Sequence, residues 1–135
     1  MKVQHLDAAY LHLHWDVIEK HLQPAIKMAD VEDYTLDQLK VFLINKQWQI
    51  FVAVENNQIE GCAVVSFSNM PNTRIAFVTL IGGKFIGNKD TLNHFNALLK
   101  SMGATKIQGY ARESVARLWK RIGFENKQIL VEYRL

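Results

Sequence analysis

Residues 74–124 read RIAFVTLIGGKFIGNKDTLNHFNALLKSMGATKIQGYARESVARLWKRIGF, and this stretch decides the fold. Residues 74–81 form an apolar run of strand character. Gly82, Gly83 and Gly87 mark a turn after it. Asp90 can cap the helix that follows, in which Leu92, Phe95, Leu98, Leu99 and Met102 recur on one side and Gly103 takes the position past the end. Residues 105–110 read as a second strand. Val115, Leu118, Trp119 and Ile122 then line a last helix that Gly123 ends. Two strands joined by one amphipathic helix make a βαβ unit, which requires parallel strands and a right-handed crossover. In such sheets a turn that leaves the carboxyl end of a strand and enters a helix is the usual place for phosphate-bearing ligands.

Upstream, residues 1–5 suit a short strand. Leu11, Trp15, Ile18 and Leu22 recur at helical spacing, and Pro24 is expected to end or kink that helix, with a short further piece over 24–28. Thr35 and Gln38 have the spacing of a capping box ahead of a stripe of Leu36, Leu39, Phe42 and Leu43, with an end near Asn45. Residues 49–55 (QIFVAVE) and 58–68 (QIEGCAVVSFS) flank Asn56-Asn57, a pair that tolerates positive φ, and read as a hairpin. Both strands are apolar on both faces, which places them in the middle of a covered sheet. Residues 128–135 (QILVEYRL) begin apolar and then alternate, as a strand nearer the sheet edge does. The reading is one α/β domain over 1–135, with a mixed central sheet of about six or seven strands and helices on both faces.

The 135 residues, 49% hydrophobic and 21% charged, describe one folded unit and exclude a disordered chain. The apolar runs are too short to span a bilayer, and the start of the chain has no apolar h-region, so neither membrane nor signal peptide is expected. A single cysteine, Cys62, excludes an internal disulfide, points to a reducing compartment, and by its place in an apolar strand reads as core. Four of the five histidines (His5, His12, His14, His21) lie near the start, and His14 and His21 share a helix face. No carboxylate or cysteine completes a ligand set there, so no metal is expected. The net charge of +3 suits an anionic ligand. Arg117, Lys120 and Arg121 share a flank of the last helix, but no stacking aromatics are interleaved, so a solvated face outranks a nucleic-acid surface.

The order of elements, together with the ending RESVARLWKRIGF, resembles the GCN5-related N-acetyltransferase (GNAT) superfamily. A YTLDQL-type helix start, a WQIFVAVE-type strand, a glycine pair after the fourth strand and an AR-x-x-x-ARL helix start are similar to GNAT-like proteins of bacteriophages, some of them acetyltransferases and others virion components. The resemblance implies that the fourth strand splays from the fifth, that acetyl-CoA enters the gap, and that its pyrophosphate meets backbone amides before the next helix. It assigns Val78, Leu80, Gly82 and Gly83 to the acyl and pantetheine arm, and the loop of Gly82, Gly83, Lys84, Gly87 and Asn88 to the pyrophosphate. Two readings stay open: an acetyl-CoA-dependent N-acyltransferase in a bacterial host cytoplasm, and a non-catalytic virion-associated protein whose partners are other virion proteins.

The proton-handling residues depart from the family pattern. The loop Lys84-Phe85-Ile86-Gly87-Asn88-Lys89 keeps a basic residue and one glycine of the family's phosphate motif. No Asp, Glu or His occurs between Gly61 and Lys89, which leaves the expected groove wall neutral to positive through Arg74, Lys84 and Lys89. A base is then sought at Asp37, Glu55 or a histidine near the start. Trp119 stands where the family commonly carries a tyrosine acid, and an indole N–H is not an acid near neutral pH. Tyr110, at the end of the fifth strand, and Arg112, at the start of the last helix, are the remaining candidates for chemistry. An arginine there is suited to a phosphate or carboxylate.

Overall fold

The computed structural model describes every residue of the chain except Ile86 and Asn88. In chain order, β1 (Lys2–Leu6) leads through a short 3-10 turn (Ala8–Tyr10) into α1 (Leu11–Met28) and α2 (Leu36–Ile44). Then come β2 (Gln49–Glu55), β3 (Gln58–Asn69), β4 (Arg74–Gly83), α3 (Lys89–Ser101), β5 (Lys106–Gly109) and α4 (Glu113–Lys120). The sheet runs β1-β2-β3-β4-β5, antiparallel until β5, which pairs parallel to β4. This is the βαβ crossover expected from residues 74–124.

Two cores lie on the two faces of the sheet. On one, Leu11, Trp15, Ile18 and Leu22 of α1 and Leu36, Leu39 and Leu43 of α2 cover Ile50, Val52, Cys62, Val64 and Leu80. On the other, Leu92, Phe95 and Leu99 of α3 cover Phe51, Ala53, Ala63, Val65, Ala76 and Val78. Strands buried on both faces need no alternation, which is why β2 and β3 read as continuous apolar runs. Phe95 anchors the second core with edge-on contacts to Phe51 and Phe85, at 5.4 and 5.0 Å between ring centroids.

Local signals hold where the chemistry is local. Thr35 accepts from the Gln38 amide at 3.2 Å, and the Gln38 side chain accepts from the Thr35 amide at 2.9 Å, a complete capping box. Asn56 and Asn57 take φ of 50° and 61° in the hairpin turn, and Gly103 ends α3 at φ 89°.

Four expectations need correction. Pro24 does not end α1, which runs unbroken to Met28. Ala25 and Ile26 pack on the first core beyond it, and that burial outweighs the missing amide. Asp90 is not a cap but lies inside the first turn of α3, which begins at Lys89. Phe42 is only half-buried and stacks on Trp48 at 4.5 Å instead. Finally, the sheet has five strands among the described residues, and residues 128–135 form no strand and lie exposed. Strand propensity is realised only against a partner, and this segment has no ladder partner among the described residues.

The capping box gives a first test. Thr35→Ala is expected to lower unfolding free energy by about 1 kcal/mol, with Thr35→Ser restoring most of it, as read by urea denaturation.

Candidate functional site

The site is built by a strand that outruns its neighbour. β4 and β5 pair over Ile75–Lys106, Ala76–Ile107, Phe77–Gln108 and Val78–Gly109. Beyond Val78, β4 continues to Gly83, while the chain after Gly109 turns away toward α4. Residues 79–83 therefore present a strand edge with no partner on the β5 side among the described residues. Backbone groups along such an edge that the chain does not itself use are open to a ligand.

The gap opens at a β-bulge. Val64 pairs with Leu80 and Val65 with Val78, so Thr79 is an extra residue in β4. The parity of the strand changes across it: Val78 enters the core under α3, and Leu80 enters the core under α1 and α2. Tyr34, at the end of the α1–α2 connection, donates its hydroxyl to the Thr79 carbonyl at 3.4 Å. Its phenol is pushed up to about 12, chiefly by burial and then by the Asp33 charge, so it stays protonated and remains a donor. Sequence reading missed this residue, because a tyrosine one position before a capping threonine carries no signal of its far contact. A groove of about 330 Å³ adjoins it, with Glu19, Tyr34 and Asp37 in its lining.

The expected ligand residues occupy three environments. Val78 and Leu80 have buried side chains; Val78 is the last residue paired with β5, so of the two only the Leu80 backbone lies on the unpaired edge. Gly82 and Gly83 are committed to packing. A Cβ on Gly82 would meet the His21 carbonyl oxygen of α1, and one on Gly83, at φ 69°, would meet the Glu60 carbonyl and the His21 ring. Lys84 is exposed, but its amide already donates to the Glu60 carbonyl at 2.9 Å. Gly87 is exposed, and a Cβ there would meet nothing within 4 Å. The expectation for Asn88 lies outside the described residues. Phe85, between these positions, is fully buried and ties the loop to the α3 core.

Across the gap, Tyr110 is exposed, with its ring edge-on to Phe77 at 5.0 Å. Arg112 takes the N-cap position of α4 without a side-chain cap bond. Trp119 is half-buried, lies over Gly109, and meets Phe124 at 5.3 Å.

Several sequence candidates are elsewhere. Arg74 is not on the groove wall. It sits at the opposite end of β4, where its Nε donates to the Met102 carbonyl at 3.1 Å, its Nη1 to Asn69 at 2.9 Å, and its guanidinium lies over Phe67 at 4.3 Å. Glu55 is exposed beside the hairpin turn on β2, two strands from β4. Of the early histidines, His5 pairs with Gln49 at 2.7 Å and His21 with the Ile59 carbonyl at 3.0 Å. Among the described residues, no three His, Cys, Asp or Glu side chains are placed to hold a metal, and no helix is long and apolar enough to cross a membrane. Arg117 and Lys120 of α4 and Arg121 at its C-cap are exposed.

Comparison with models of protein families and with curated proteins found no match. Solved structures do match. An aminoglycoside acetyltransferase from an uncultured soil metagenomic sample, in complex with sisomicin, superposes with a TM-score of 0.72 at 15% identity, over 99% of this chain and 95% of that one. The chain has the GNAT fold. A predicted acetyltransferase from Clostridium acetobutylicum, with acetyl-CoA, gives 0.64 at 19% identity, over 98% and 95% of the two chains. An aminoglycoside N-acetyltransferase in complex with CoA gives 0.67 at 17%, over 99% and 93%. Solved structures of this fold thus include acetyltransferases with acetyl-CoA or CoA bound.

Two tests separate packing from chemistry. Gly82→Ala is expected to cost about 1–3 kcal/mol of stability by calorimetry or urea unfolding, because a methyl group would have to displace α1. Burial pushes the Cys62 thiol from its ordinary 9.0 to about 12. The fold thus favours the neutral thiol, and stability declines as pH rises from 9.0 toward about 12. The native chain should accordingly resist thiol alkylation at pH ~8 and react only as it unfolds.

Proposed function

We propose that this chain is an N-acyltransferase that uses a CoA thioester, acetyl-CoA in the first instance. The observation that carries the reading is the free edge of β4 over residues 79–83, opened by the Thr79 bulge where pairing with β5 stops at Val78–Gly109. The residues fit such a ligand in part. The free backbone edge suits the amide-bearing pantetheine arm, and Gly87 together with exposed Lys84 and Lys89 suits the phosphates.

A bound CoA thioester supplies an activated acyl group. Backbone N–H groups along 79–83 polarise its carbonyl, while Tyr34 fixes the bulge that aims them. Glu19 and Asp37 in the adjoining groove attract a cationic amine and accept its proton through water. The acceptor nitrogen then bonds to the acyl carbon, the carbon–sulfur bond breaks, and the electron pair leaves on sulfur. Trp119 supplies no proton for that thiolate. Arg74, remote from the gap, takes no part; Lys84 and Lys89 keep the phosphate side positive, while Glu19 and Asp37 make the acceptor groove acidic.

A second reading keeps the fold as an interaction protein, with a place in a phage particle as the sequence resemblance implies. The specific observation in its favour is that Gly82, Gly83 and the Lys84 amide are all used in packing.

Titration with acetyl-CoA distinguishes the readings. Micromolar binding should raise the unfolding temperature as the ligand's excess over Kd grows, and Gly87→Val should weaken Kd at least tenfold without changing the stability of the free protein. The absence of any response at millimolar acetyl-CoA would sink the enzyme reading. An unchanged Kd in the variant would move the phosphates off this loop.

A further inference from the structure

We propose that the acyl acceptor is an aromatic amine, a planar ring carrying a primary amino group, and that its ring lies between two pairs of aromatic side chains beside the Thr79 bulge. This rests on the acyltransfer reading. Ala76 and Val78 enter the core under α3, so Phe77 between them points to the opposite face, that of α1 and α2. Phe77 belongs to neither core and is half-buried. Tyr110, 69% exposed just past β5, meets it edge-on at 5.0 Å. This pair stands where β4 and β5 part, since Phe77 and Val78 are the last two residues of β4 that pair with β5.

The second pair lies two strands away. Gln49 pairs with Val65 and Ser66 with Phe77, so Trp48, one residue before Gln49, stands level with Ser66 and Phe77. Trp48 packs on the core under α1 and α2, hence on the same face as Phe77. Tyr34 meets it edge-on at 5.4 Å and carries its hydroxyl to the Thr79 carbonyl. Two strand spacings put the Trp48 and Phe77 backbones about 10 Å apart. Aromatic rings prefer partners with centroids roughly 4.5–7 Å away, so one further ring fits between these two. Ser66 lies beneath, because Val65 before it turns into the other core and leaves a small side chain on this face.

The walls select a ring, and the adjoining groove selects its amine. The four rings and Ser66 carry no charge, whereas Tyr34 also lines the groove of Glu19 and Asp37. A ring seated against Phe77 and Trp48 therefore directs its amino group past Tyr34, toward the bulge and the carboxylates. The nitrogen bonds to the acyl carbon as the carbon–sulfur bond breaks, the electron pair leaves on sulfur, and the nitrogen's proton passes through water to a carboxylate. An aryl group also withdraws electrons from a nearby nitrogen, so a larger share of such an amine arrives neutral than of an alkylamine.

Benzylamine and cyclohexylmethylamine test this, because they carry the same aminomethyl group on a planar and a puckered ring. In an NMR titration of the full chain, benzylamine should shift the Trp48 indole and Tyr110 ring signals and bind at least fivefold more tightly than cyclohexylmethylamine. Tyr110→Leu and, separately, Phe77→Leu should each bring that ratio below twofold; Tyr110 is exposed, so its variant should keep the circular dichroism of the parent. Equal binding of the two amines would overturn the proposal, as would a preference that survives both variants. Acetyl-CoA separates this inference from the reading beneath it. A chain that binds acetyl-CoA and acetylates both amines with equal kcat/KM sinks the aromatic acceptor alone. A chain that prefers benzylamine and gives no response to millimolar acetyl-CoA keeps the ring site and overturns its role as an acyl acceptor site.

Discussion

One extra residue in β4 governs the molecule. A strand without a bulge sends alternate residues to the same face, so Val78 and Leu80 would share a core. The insertion of Thr79 splits them between the two cores. As a consequence, the strand can bury Ala76 and Val78 under α3 and still turn its final residues against α1. The bulge also adds local twist at the point where pairing with β5 stops. The cleft is thus a by-product of how β4 satisfies two cores, and Tyr34 pins the bulge from the side of α1 and α2.

The glycine pair that follows is a second part of the same construction. Helix α1 reaches β4 so closely at His21 that only a residue without a side chain can lie beneath it. Gly83 faces the same demand from Glu60 on β3 and meets it with a positive φ. From sequence, two glycines ahead of a helix suggest a phosphate cradle. In the fold, their missing side chains are filled by protein backbone. Within this loop, the glycine with nothing within 4 Å of its open side is Gly87, which leaves room for a ligand.

Much of the architecture was legible because its signals are local. The capping box at Thr35, the Asn56-Asn57 turn, the Gly103 terminus and the stripe of Leu11, Trp15, Ile18 and Leu22 depend on neighbours within a few residues. The misreadings concern partners far along the chain. Pro24 is tolerated because Ala25 and Ile26, half-buried, pack against a core whose other members lie far along the chain. Arg74 looks like a free cation until Met102, Asn69 and Phe67 surround it. The bulge was invisible because residues 75–81 are almost uniformly apolar, and a run with no alternation cannot reveal a change of parity. Residues 128–135 have the composition of a strand, but no ladder among the described residues uses them, so the expected strand is not realised.

The altered proton inventory constrains the chemistry more than it forbids it. On the acyltransfer reading, a departing thiol has a pKa near 8.5, so a thiolate leaves near neutral pH without an acid, and Trp119 costs the reaction little. The harder problem is the nucleophile. An alkylamine with a pKa of about 10.4 is almost wholly protonated at neutral pH, and its ammonium cannot attack. Carboxylates such as Glu19 and Asp37 draw that ammonium in, but they also stabilise its charged form. A groove of this character therefore binds strongly basic amines well while holding them unreactive, unless one carboxylate sits where water can relay the proton away. Weakly basic amines escape the conflict, because a larger share is already neutral when they arrive. On the acyltransfer reading, then, an acidic groove would favour an acceptor whose nitrogen is less basic than that of a lysine side chain.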